Sequence, residues 1–218
     1  MRSMPDDRAL WVPSRPGVRR VAVVVPQKGP AGIFGPSCEA AARLAASELN
    51  DSHGIHGDAV ELVMIDGGAS PSEVSAALVR ELRSRGLDAV TGWHISSVRR
   101  AIVPILAGVV PYVYPALYEG GERRPGVFCT GEVPAAQVEP ALRWLRDELG
   151  VRRWFIVGND YVWPRDTAAS TVSFARAEAL EVVGAEFVKL PSTSQQIAAL
   201  VDVVERSECQ GVLMLFPG

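Results

Sequence analysis

The sequence predicts an α/β fold of two lobes, each a parallel sheet wound by helices, with the second lobe incomplete. Three observations carry this reading. Short continuous apolar runs such as Val21 to Val25 and Val60 to Ile65 alternate with stretches of helical periodicity, as strands buried on both faces and their crossover helices do. Capping residues and glycines punctuate that alternation. The pattern halts in the loop E-G-G-E-R-R-P-G, residues 119–126, and restarts at Pro134. At roughly 100–200 residues per domain, the 218 residues suffice for one large domain or two small ones.

Residues 1–18 carry three prolines and mixed charge without periodicity and read as a loose arm. The first strand, Val21 to Val25, ends at Pro26, and Gly29, Gly32 and Gly35 then make a flexible turn. A helix is expected from Gly35 to Leu49 with Ala41, Leu44, Ala45 and Leu49 on one face, stopped by N-D-S-H-G. Val60 to Ile65 is the second strand. S-P-S-E at residues 70–73 supplies a capping serine, a proline at the first helical position and an acid in the first turn, so a helix follows to Arg85 and halts at Gly86.

Asp88 to Thr91 is a third strand, Ser96 to Leu106 a helix, Val109 to Tyr112 a fourth strand and Val127 to Thr130 a short fifth. This spacing implies right-handed βαβ units. From Pro134 come a helix to Leu149 ended by Gly150, a strand R-W-F-I-V-G, a helix from Pro164 to Val183 stopped by Gly184, a strand E-F-V-K-L, a helix from Ser194 to Arg206 and a strand G-V-L-M-L-F. The division falls near Gly131 to Pro134, giving an arm 1–18, a first lobe 19–132 with five strands and a partial second lobe 133–218 with about three.

Composition narrows the function. With 48% hydrophobic and 22% charged residues the chain reads as folded and soluble, and a net charge of −3 offers no basic face for nucleic acid. Cys38, Cys129 and Cys209 are odd in number and far apart, which suits small buried hydrophobes better than a disulfide framework. The start lacks the apolar stretch of a signal peptide and no run approaches the roughly 20 apolar residues of a membrane span, so the chain as written is expected in the cytoplasm. A mis-assigned start would make it an exported, periplasmic protein instead.

No metal or cofactor is expected. His53 and His56 form H-x-x-H in a turn without a third ligand. The spacing G-P-A-G-I-F-G-P-S matches neither nucleotide fingerprint, with Lys28 before the loop, so it either brings Ser37 or the Phe34 backbone to a crevice or serves only as a turn. Without G-x-S-x-G, a Cys–His spacing or a paired acid in an apolar setting, no catalytic residue is assigned.

The stretch Gly92 to Gly120 concentrates the polar groups. In open parallel sheets ligands bind outside the carboxyl ends of the strands, where a helix N-terminus presents unpaired N–H groups. Ser96 and Ser97 stand at such a helix start. His94 precedes them as a donor to a ligand, or as a cap or a partner for Trp93. Tyr112, Tyr114 and Tyr118 are candidates for the wall. N-D-Y-V-W-P-R-D, residues 159–166, occupies the first strand exit of the second lobe, where Tyr161 and Trp163 would face Tyr114 and Tyr118; because two aromatic strand exits coincide, this reading is preferred to Trp163 and Pro164 merely stapling the helix start.

These segments resemble the type I periplasmic-binding-protein fold, and within it the amide-, urea- and branched-chain-amino-acid-binding proteins. The resemblance lies in P-x-x-G-x-x-G after the first strand, G-W-H-I-S-S-V-R-R-A-I-V-P, Y-V-Y-P-A-L-Y-E-G and G-N-D-Y-V-W-P-R. It runs from Val21 to the end, over about half to two-thirds of a full member. It implies Rossmann-like lobes with a small amide, urea or amino-acid-like ligand in the cleft between them. Ser96 or Ser97 would hold its polar group, Tyr114, Pro115 and Tyr118 would form the first wall, and Tyr161 with Trp163 the second. Ala116 and Leu117 depart from the hydroxyl residue and proline that amide binders carry there.

A non-catalytic binding protein follows, serving an ABC permease or acting as an amide sensor on a regulatory protein, with a homodimer left open. The alternatives are an enzyme on the same wound scaffold, since fold never fixes function, and a truncated member without a ligand. A repressor-like regulator would need a helix-turn-helix for which the arm is too short and too rich in proline.

Overall fold

The computed structural model describes residues 12–29 and 31–217. Of the arm expected over 1–18, residues 1–11 lie outside the described residues. The described chain divides into two compact units, one of residues up to Ala116 together with Glu122–Gly131, the other of Leu117–Gly121 together with residues from Glu132 onward.

The first unit holds β1 (Val18–Val25), α1 (Gly35–Asp51), β2 (Ala59–Asp66), α2 (Pro71–Ser84), β3 (Ala89–Thr91), α3 (Ser96–Leu106), β4 (Tyr112–Tyr114) and β5 (Val127–Cys129). Its strands form one parallel sheet in the order β2-β1-β3-β4-β5. The chain leaves β1 toward β2, then crosses back over β1 to β3. Right-handed crossovers therefore put α1 on one face and α2 with α3 on the other. Leu78, Leu82, Ile102 and Leu106 from α2 and α3, with Val90 and Tyr112 beneath them, are fully buried and build the core on that second face.

The second unit holds α4 (Pro134–Leu149), β6 (Arg153–Asn159), α5 (Val162–Ala177), β7 (Glu181–Val188), α6 (Ser194–Arg206) and β8 (Gly211–Leu215), with the parallel order β7-β6-β8. Trp154 of β6 packs among Val138, Leu142, Phe174 and Leu180, while Phe155, one residue on and pointing the other way, packs on Leu200 of α6. Five strands followed by three is the predicted layout. β8 leaves its Val212 and Met214 face open, Met214 at 68% exposure. Among the described residues no helix is long and apolar enough to cross a membrane.

The helix signals at Ser70 are realised as a capping box: Glu73 N–H donates to the Ser70 hydroxyl, and Ser70 N–H donates to the Glu73 carboxylate at 2.9 Å. The Ser70 hydroxyl, and after it the Ser70 N–H, donates to the Glu73 carboxylate and holds it below its ordinary pKa. Ser70→Ala should cost about 1 kcal/mol in a urea melt, as loss of such caps does; an unchanged midpoint would show that the cap contributes nothing.

Three expectations need correction. The face of α1 carrying Ala41, Leu44, Ala45 and Leu49 is exposed, Leu44 at 61%. The covered face is the neighbouring stripe Gly35, Cys38, Ala42 and Ala46. Both stripes have helical period, and hydropathy favours the larger side chains, but small ones let a helix lie close on β1 and β2. β4 begins at Tyr112, not Val109, because Val109 N–H and Val110 N–H both donate to Leu106 C=O and are spent in closing α3.

Finally, α5 ends at Ala177, not Val183, and β7 starts at Glu181. Ala179 takes a left-handed conformation, φ 53°, and Glu178 N–H and Leu180 N–H cap the helix. Gly184, expected as a helix stop, instead lies inside β7 opposite a register shift at Trp154/Phe155, where a Cβ would meet the Phe155 ring at 2.5 Å.

Candidate functional site

In the first sheet the winding direction reverses at β1, so the carboxyl ends of β1 and β3 flank the switch point where an open α/β sheet forms its crevice. After β1 the chain makes a tight 3-10 turn, Gly32–Phe34, into α1. After β3 it runs through Gly92, Trp93, His94 and Ile95 into α3, whose first residue is Ser96. The Phe34 and Trp93 rings meet there with centroids 4.6 Å apart. The Ser37 hydroxyl, by contrast, is spent on Phe34 C=O at 2.9 Å.

Ile95 occupies the cap position of α3 in extended conformation, and no side chain caps the helix. Its carbonyl accepts from Val98 N–H at 3.0 Å and Arg99 N–H at 3.3 Å. Ser96 is 2% exposed and its Oγ has no hydrogen-bond partner. A buried hydroxyl without a partner costs on the order of 1–3 kcal/mol, and such a group calls for a reason. Ser97 is half-buried.

His94, Tyr112 and Tyr114 are buried and bonded to one another. His94 is 1% exposed. Its Nε2 lies 3.0 Å from the Tyr112 hydroxyl and its Nδ1 3.3 Å from Ile95 C=O, so neither ring nitrogen is open to a solute. Tyr114, also 1% exposed, donates its hydroxyl to His94 C=O at 2.6 Å and lies with its ring centroid 5.7 Å from the Arg99 guanidinium. Burial, with a smaller push from Arg99, brings the His94 pKa down from 6.5 to about 4, and burial with the neighbouring Tyr114 raises that of Tyr112. Arg99 is itself buried and paired with Glu122 at 2.9 Å.

Pro115 is exposed after β4. In the second unit Tyr118 is half-buried, its N–H donating to Glu132 C=O at 3.1 Å. Tyr161 is the cap residue of α5, and its ring and that of Trp163 stand 6.4 Å apart at the exit of β6, the strand where the winding of this sheet reverses. At that exit Asn159 is buried and donates to Ser192 Oγ at 3.1 Å. Among the described residues no group of three or more His, Cys, Asp or Glu is placed to hold a metal ion.

Within the first unit the structure thus brings together His94, Ser96 and Tyr114, and within the second Tyr161 and Trp163. Sequence reasoning missed the Phe34 ring, Arg99 and Glu122. The G-W and I-F-G aromatics at two neighbouring strand exits were the available signal for the first.

Compared with known proteins, residues 19–218 match the family described as periplasmic binding protein. Among solved structures, a solute-binding protein of an ABC transporter from R. palustris in complex with 4-hydroxybenzoate is 22% identical at TM-score 0.77, over 90% of this chain and 53% of that one. The leucine-, isoleucine-, valine-, threonine- and alanine-binding protein of Brucella ovis is 18% identical at TM-score 0.74, over 90% and 53%. The branched-chain amino acid transporter substrate-binding protein of Streptococcus pneumoniae in complex with isoleucine is 18% identical at TM-score 0.77, over 90% and 56%. The chain spans about half the length of these structures.

Proposed function

Because the chain belongs to the periplasmic-binding-protein family, in its type I form, we propose that it binds a small organic solute without transforming it, and that the solute's acceptor group docks on Ser96 and the N-terminus of α3. The observation that carries this is the Ser96 hydroxyl, buried and without a partner, on the first turn of a helix whose cap residue contributes no side-chain oxygen. The first N–H groups of a helix lack intrahelical partners and carry the positive end of its dipole. A carboxylate or amide oxygen would satisfy the hydroxyl and those N–H groups together.

Phe34 with Trp93 offers rings for the apolar part of such a solute in the first unit, and Tyr161 and Trp163 form a ring pair of their own within the second. Ser97 follows Ser96 on the first turn of α3, and Pro115 follows β4 at the carboxyl end of the same sheet. The ligand class is a short amide, urea, an amino acid or a similar small acid, and the partner is an ABC permease or a regulatory protein that reads the bound state.

Thermal unfolding of the chain against isoleucine, 4-hydroxybenzoate, butyramide and urea tests this reading. A ligand at a hundred times its Kd stabilises the folded state by about 2.7 kcal/mol, a rise of roughly 5–10 °C for a protein of this size. One chemical class is expected to give that rise. A cooperative melt that none of the four moves at millimolar concentration would overturn the reading.

A further inference from the structure

We propose that His94 is a positioning residue: fixed by Tyr112 as the neutral Nδ1–H tautomer, it holds the cap carbonyl of α3 and so aims Ser96, without itself touching the solute. The proposal rests on the reading that Ser96 receives the ligand.

The tautomer follows from the partners. A carbonyl oxygen only accepts, so the contact between His94 Nδ1 and Ile95 C=O requires a proton on Nδ1. A neutral imidazole then has a lone pair at Nε2, and the Tyr112 hydroxyl 3.0 Å away donates to it. Tyr114 completes the clamp from its own strand, donating to His94 C=O at 2.6 Å. Two tyrosines that alternate along β4 therefore grip one residue, one by its ring and one by its backbone.

The grip matters because α3 starts on Ile95, which has no oxygen to fold back over the first turn. The Ile95 carbonyl, which also accepts from Val98 N–H and Arg99 N–H, sets the direction of that turn. His94 Nδ1–H holds this same carbonyl at 3.3 Å. The charged and titratable groups facing the ring are Arg99, Tyr112 and Tyr114. With the ring's own pKa held near 4 by burial, affinity should be flat from pH 5 to 8.

Two readouts on the full chain test this. In the ligand-free protein, the ¹⁵N spectrum of the His94 ring is expected to show a protonated Nδ1 and a bare Nε2, unchanged from pH 5 to 8, and Tyr112→Phe, which deletes one hydroxyl, should turn it into a mixture of tautomers. Calorimetry with isoleucine and 4-hydroxybenzoate should show binding of the active probe weakened tenfold or more in His94→Leu. His94→Asn, which keeps an N–H where Nδ1 stands, should restore most of it. A ring protonated on Nε2, or charged at pH 6, overturns the proposal, as does wild-type affinity in both His94→Leu and Tyr112→Phe. If neither probe binds the wild type, the solute reading fails for those compounds, while the ring spectrum still decides the tautomer.

Discussion

Gly92→Ala is expected to destabilise the first unit by on the order of 3–5 kcal/mol, the range of severe backbone and steric substitutions. Two causes act together. Gly92 has φ +147°, a conformation L side chains rarely adopt, and a Cβ there would lie 2.0 Å from Val24 C=O and 2.6 Å from Val24 N. Val24 belongs to the central strand β1, paired on both sides, Ala22 with Val63 and Val90 and Val23 with Met64 and Thr91. The strand cannot yield without losing ladder bonds to β2 and β3. The residue also turns the chain out of β3 toward His94 and Ser96, so solute binding should fall with stability. Urea unfolding measures the cost; a loss below about 0.5 kcal/mol would show that the approach of Gly92 to β1 is not tight.

Acidification from pH 7 to pH 4 should cost about 3 kcal/mol through His94 alone. Its pKa of about 4 in the fold, against 6.5 ordinarily, means that the folded state keeps the ring neutral while the unfolded chain takes up a proton. The stability is therefore complete above pH 6.5, is lost as the pH falls from 6.5 to 4, and changes no further below that. The span of about 2.5 pH units at about 1.4 kcal/mol each gives the magnitude. Exposed Asp147 and Asp160 and half-buried Glu178, carboxylates held below their ordinary values by Arg146, Arg165 and Arg146 respectively, act in the same direction but at lower pH. Unfolding free energies of the wild type and His94→Gln at pH 7, 5.5 and 4 isolate the effect. Equal slopes in the two proteins would show that the ring protonates within the fold.

The fold was legible where periodicity and punctuation agree. S-P-S-E marks the start of α2, Gly150 the end of α4, and the bounds of α3 and α6 follow from their apolar spacing. It was illegible where two answers have the same period. The Ala42 and Ala46 stripe of α1 competes with a more hydropathic neighbour, and only the closeness of the sheet decides between them. E-V-V-G read as the end of a helix because a strand glycine that faces the Phe155 ring leaves no local trace.

At the candidate site, the position of Ser96 at a helix start was readable from the two adjacent hydroxyls, Ser96 and Ser97, after an apolar run. The state of its hydroxyl was not, since that depends on Ile95 failing to cap. The engagement of His94 was equally hidden, because its ring partner Tyr112 stands on another strand 18 residues away.

Calorimetric titration of the wild type and Ser96→Ala, with whichever compound raises the unfolding midpoint, tests the central claim most directly. The hydroxyl has no partner in the ligand-free protein, so its removal should leave the melt unchanged or slightly higher while weakening binding about tenfold to a hundredfold, the worth of a hydrogen bond to a charged or strongly polar group. Binding as tight in Ser96→Ala as in the wild type would contradict the assignment of this helix start as the ligand's anchor.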